Sequence, residues 1–79
     1  MAVIDGFAPL RAERKLKPQR THVIGHYGVE RNEEGLKFIQ IDTQGSGERQ
    51  KPGKQSQTIQ LTEKSARELW SILGREFGF

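Results

Sequence analysis

Seventy-nine residues suffice for one domain; with 33% hydrophobic residues, a mean hydropathy of −0.74 and no cysteine, they exclude a disulfide staple and a thiolate metal site. A chain this short buries only about 60% of its unfolded surface, so its core is marginal and a partner copy is the expected remedy. The net charge is +3 and the pI 9.6, and the cations are gathered rather than spread. Arg11, Arg14, Lys15, Lys17 and Arg20 oppose Asp5 and Glu13 in residues 1–20, and Arg49, Lys51 and Lys54 oppose Glu48 in a glycine-rich loop. Such gathering suits an anionic partner, and equally an ordinary solubilising surface.

Residues 1–20 show no clean period and read as a flexible basic arm. Pro18 stops any short helical turn over 11–17. Val3, Ile4, Phe7 and Leu10 are its possible anchors. Residues 21–79 read as a single sheet-plus-helix domain. There is an acid at Asp5 where a signal peptide carries bases, and no apolar run approaches the ~18 residues of a membrane span. A cytoplasmic protein with no membrane contact is the expectation.

Residues 21–31 form the first predicted strand. Val23, Tyr27 and Val29 share one face; His22, Ile24, His26 and Glu30 share the other. Gly25 and Gly28 weaken it. Residues 32–35 form a hairpin turn, with Asn32 and Gly35 suited to unusual backbone angles. Residues 36–43 give the clearest strand: Lys37, Ile39, Ile41 and Thr43 on one face, Leu36, Phe38, Gln40 and Asp42 on the other. After the basic loop, residues 57–61 resume the alternation, with Ile59 and Leu61 inward and Thr58 and Gln60 outward.

A helix follows to Phe77. Thr62 is suited to cap it, Glu63 complements its positive end, and Gly78 is a plausible stop. Ala66, Leu69, Trp70, Leu73 and Phe77 form one apolar stripe, which would cover the sheet face bearing Ile39, Ile41, Ile59 and Leu61. Trp70 is then the central core residue or a dimer contact. The fold class is α+β: a curved antiparallel sheet of three to four strands and one C-terminal amphipathic helix, β-β-β-α.

Chemistry-bearing constellations are few. His22 and His26 would stand about 13 Å apart on a strand, too far to share a metal. No Gly-x-Ser-x-Gly elbow surrounds any serine, and a sheet with one helix seldom encloses a substrate-sized pocket. Neither an enzyme nor a cofactor is expected. The loop is the stronger signal. Gly45, Gly47 and Gly53 set flexible backbone beside Arg49, Lys51 and Lys54, as a phosphate-binding concavity requires; the alternative is a mobile hairpin tip.

The face opposite the core sharpens this. Phe38 offers a stacking platform among Gln40, Gln60, Thr58 and His22, and a polar sheet with one aromatic and a basic rim suits single-stranded nucleic acid. The competing reading is that the face packs on a second subunit or on the arm. The candidate contacts are Arg49, Lys51, Lys54, Phe38, Gln40, Gln60, His22 and Lys37, with Arg11, Arg14, Lys15 and Lys17 adding salt-dependent affinity.

The run Lys37-Phe38-Ile39-Gln40-Ile41-Asp42, the loop with Lys51-Pro52-Gly53-Lys54, then Thr58-Ile59-Gln60-Leu61-Thr62 and a helix with Trp70 resemble the positive-cofactor-four transcriptional coactivator family. The resemblance covers about residues 21–77. It implies curved antiparallel sheets followed by a helix, dimers formed through the helices, and single-stranded DNA bound along sheets and loops. That family's sheet has four strands and three are legible here; part of the arm, or a split of 21–31, would supply the fourth. Residues 41–60 also resemble a group of small bacterial and phage proteins, some named formyltransferase-like, although 79 residues are too few for that enzyme's domains. The expected function is a homodimeric module binding single-stranded DNA or RNA in transcription or DNA processing. The alternative is a small phage or bacterial modulator that binds a host protein complex.

Overall fold

The computed structural model describes residues 1–11, 14–44 and 55–79. Among the described residues four strands, β1 (Ala2–Ile4), β2 (Gly25–Arg31), β3 (Lys37–Gln44) and β4 (Gln55–Thr62), precede one helix, α1 (Glu63–Phe77). They form one mixed sheet in the order β1-β4-β3-β2. The architecture is α+β, a sheet followed by a C-terminal helix.

Two expectations change at the N-terminus. The sheet is not wholly antiparallel, and residues 1–20 are not wholly an arm. Ala2, Val3 and Ile4 pair in parallel with Ile59, Gln60 and Leu61. The physical reason lies in β4, whose outer edge would otherwise present a row of unpaired backbone groups; an apolar tripeptide covers it. The chain then follows the helix. Lys64 Nζ donates to the Asp5 carbonyl at 3.5 Å, and half-buried Phe7 shares a groove with Leu69 and Ile72.

The β2–β3 hairpin is closed by residue types suited to it. Asn32 Oδ1 accepts from the backbone N–H of Glu34 and of Leu36, each at 2.9 Å, and Gly35 sits at φ +82. Only the glycine takes a left-handed angle among the described residues of this turn; Asn32 acts through its side chain. Pairing then runs from Arg31↔Lys37 to Gly25↔Thr43. β2 therefore starts at Gly25, so Val23 and His22 precede the sheet rather than lying on it.

β3 and β4 pair antiparallel with Ile39 opposite Leu61, Gln40 opposite Gln60 and Ile41 opposite Ile59. Period-two alternation sends Ile39, Ile41, Ile59 and Leu61 to one side and Phe38, Gln40, Asp42, Thr58 and Gln60 to the other.

The helix begins on a reciprocal cap. Ser65 N donates to Thr62 Oγ1 at 3.2 Å, and Thr62 N donates to Ser65 Oγ at 2.9 Å. Both orphan donors are met, and Ser65 is fully buried. Gly78, at φ +76, closes the other end through its N–H to the Gly74 carbonyl. Thr62→Ala is expected to lower stability by about 1 kcal/mol, read as a shift of the urea midpoint at unchanged slope; an unchanged midpoint would show that the cap contributes nothing.

The core is thinner than the apolar pattern suggests. Leu61, 4% exposed, is the one buried hydrophobic among the described residues. Ile39 and Ile41 are half-buried, whereas Tyr27, Val29 and Ile59 remain exposed. Of the expected helix stripe, Ala66, Leu69 and Leu73 are half-buried, alongside Ile72 and the buried Ser65, whereas Trp70 stands out at 71% exposure and Phe77 at 69%. Trp70 is therefore not a core residue of the single chain.

Candidate nucleic-acid interface

The sheet side away from the helix carries the candidate site. Ala66 of the helix lines a groove with Val29, Ile39 and Leu61, with Phe38 at its border, which places α1 beside the aliphatic side. A separate open cleft of about 320 Å³ is bordered by His26, Tyr27, Gly28, Glu30, Phe38, Gln40 and Asp42.

Strand register builds this surface. β3 supplies Phe38, Gln40 and Asp42; β4 places Gln60 beside Gln40 and Thr58 beside Asp42; β2 places Glu30 beside Phe38 and His26 beside Asp42. A polar ladder crosses the middle. Gln60 Nε2 donates to Gln40 Oε1 at 2.8 Å, and Gln40 Nε2 donates to Asp42 Oδ1 at 3.1 Å. Thr58 Oγ1 donates to the same Asp42 oxygen at 2.8 Å.

The direction of this ladder follows from one residue. An ionised carboxylate only accepts, so Asp42 takes the amide N–H of Gln40. Gln40 then offers its carbonyl inward, and Gln60 must donate to it. Asp42 thus fixes the orientation of both amides. Thr58 is only 4% exposed, while Gln40, Asp42 and Gln60 are half-buried, so the ladder is rigid on one side and accessible on the other.

Phe38 is half-buried, whereas Glu30 and His26 are exposed. Two carboxylates and no lysine or arginine lie among the described residues of this side. The cleft is therefore acidic, and a phosphate would be repelled from its floor.

The predicted contacts separate into three groups. Phe38, Gln40 and Gln60 come together on one surface. Lys37 does not join them; one residue before Phe38, it projects to the opposite side, paired with Arg31. His22 lies three residues ahead of β2, off the strand that carries His26. Arg11, Arg14, Lys15 and Lys17 are exposed, with the Arg14 N–H donating to the Arg11 carbonyl at 3.1 Å. Arg49, Lys51 and Lys54 lie outside the described residues.

Asp42 and Glu30 are the residues that sequence reasoning passed over. Taking residues 32–35 as the turn pairs 31 with 36 and misses this register by one; the Asn32 N–H bond to the Leu36 carbonyl at 2.9 Å narrows the loop to 33–35, and counting outward from that pairs 30 with 38 and 26 with 42.

Among the described residues no group of three histidines, cysteines or carboxylates could hold a metal ion, and no helix is long and apolar enough to cross a membrane. No protein-family model, curated protein or solved structure matches the chain.

Proposed function

We propose that this chain is a single-stranded nucleic-acid-binding protein that works as a homodimer, akin to the positive-cofactor-four coactivators. One observation carries the reading: an aromatic ring and a pre-ordered amide ladder adjoin an open cleft that no residue of the helix lines. Bases stack on exposed aromatic rings whatever their sequence, and amides meet their edges. In duplex DNA the base faces are stacked and the Watson–Crick edges are paired, so neither is free to meet this surface.

Because the cleft is acidic, the phosphates would lie elsewhere. The backbone of the strand would follow the cationic residues of the arm and of the 45–54 loop, with bases turned towards Phe38. Self-association is supported by the apolar groups the single chain leaves uncovered, namely Tyr27, Val29, Ile59, Trp70 and Phe77. A marginal core needs such burial from a second copy.

Fluorescence anisotropy with labelled oligo-dT and a matched duplex tests the function. Preferential, salt-sensitive binding of the single strand is expected; equal and very weak binding to both at low salt would sink it. Phe38→Ala is expected to weaken single-strand binding by about 5- to 150-fold, the span of one lost base–aromatic stack of about 1–3 kcal/mol. Its circular dichroism should stay that of the parent.

The exposed aromatics of the helix favour a second reading, a modulator that docks on a host protein. Pull-down from nuclease-treated lysate separates the two: a protein partner that survives nuclease supports the modulator, and recovery of nucleic acid alone counts against it.

A further inference from the structure

We propose that the cleft beside Phe38 reads guanine, with the Glu30 carboxylate as the reader; this rests on the single-strand reading above and adds base identity to it. Glu30 lies directly across the sheet from Phe38 in the β2–β3 register. Residues so paired hold their Cβ atoms about 4.5–5.5 Å apart. A base lying on the Phe38 ring is therefore within reach of the Glu30 side chain.

Both line the same cleft. Glu30 makes no hydrogen bond or ion pair among the described residues and is exposed, so its two oxygens are available to a ligand. Asp42 already accepts two hydrogen bonds on Oδ1 from Gln40 and Thr58. It serves the ladder, and its negative charge keeps phosphates off the floor.

The acceptor pattern selects the base. A carboxylate offers two acceptors side by side and no donor. On the Watson–Crick edge, guanine alone offers two adjacent donors, N1–H and the N2 amino group. Adenine and cytosine each present one amino group beside a ring nitrogen that accepts, and would set a lone pair against the carboxylate. Thymine has a single N–H between two carbonyls. A bidentate pair of this kind discriminates by at least about fivefold.

The test uses the full chain and labelled oligo-dT strands carrying one central guanine, inosine or adenine. Inosine keeps N1–H and lacks the N2 amino group, so it removes one of the two bonds without changing stacking area greatly. The expected order is guanine, inosine, adenine, with guanine at least about fivefold tighter than adenine. Glu30→Gln keeps the shape, replaces one acceptor by a donor, and should level the three strands while oligo-dT binding persists. Free guanosine monophosphate should not displace the guanine strand at equimolar concentration; if it does, the cleft serves a free nucleotide and the strand form of the proposal falls.

Three equal, measurable affinities overturn guanine reading and leave single-strand binding standing. Absence of binding to all three, oligo-dT included, overturns both. A short arginine peptide that binds through Glu30 while the strands bind alike reassigns the carboxylate to a protein partner and overturns the proposal.

Discussion

Leu61→Ala is expected to cost about 2–5 kcal/mol and to leave much of the chain unfolded at 37 °C. Leu61 is the one buried hydrophobic among the described residues. Ile39 lies across the sheet from it on one side and Ile4 on the other, and it borders the groove that holds Ala66. Three strands and the helix therefore meet at this side chain. Removing a buried leucine to Cβ loses its transfer free energy and leaves a cavity that strands cannot easily collapse into. A domain of this length has a total stability of about 4–12 kcal/mol at ordinary values per residue, so the loss takes a large share. Urea denaturation checks it, with Leu61→Met as the control at less than about 1.5 kcal/mol. A loss below 1 kcal/mol for the alanine variant would mean that the effective core forms elsewhere, between copies.

Trp70→Asp is expected to convert a dimer into a monomer at micromolar concentration. Trp70 is 71% exposed in the single chain, and Tyr27 on the aliphatic side of the sheet is 76% exposed. Neither has the surroundings that large aromatic groups usually find. Phe77 and Phe79 extend the surface, their rings stacked at 5.7 Å. A tryptophan at the centre of an interface typically costs 2 kcal/mol or more when truncated. In a two-fold dimer each substitution occurs twice, so the loss is about 4 kcal/mol, roughly a thousandfold in the dissociation constant. Sedimentation velocity over a dilution series reads this directly. The parent should also melt at temperatures that rise with concentration, and the variant should not. A parent chain that sediments as a monomer at every concentration would remove this interface from consideration.

Local chemistry carried much of the architecture. Thr62, Ser65 and Gly78 determine the limits of the helix because capping depends on groups within four residues of each end. Asn32 and Gly35 close the hairpin for the same reason. The β3 and β4 faces follow from the period of two, which is why Phe38, Gln40 and Gln60 could be assigned to one surface while Lys37 falls on the other. His22 illustrates the limit of this logic: the alternation continues through 21–24, yet pairing with β3 ends at Gly25↔Thr43, and without a partner strand the alternation has no face to point to.

The sequence by itself therefore determined the order of β2, β3, β4 and the helix, the helix cap and stop, the hairpin turn and the sides of the two central strands. These are consequences of backbone angles and of donors and acceptors close along the chain. Only the tertiary structure decided that residues 2–4 join β4 in parallel, that Phe7 shares a groove with Leu69 and Ile72, and that Trp70 is left outside. It also decided that the Phe38 cleft is acidic, with Asp42 orienting a ladder that runs through Gln40 to Gln60, 18 positions along the chain. Each of those depends on groups distant in sequence competing for the same edge, groove or lone pair, and that competition is settled by which contacts can be made together in space.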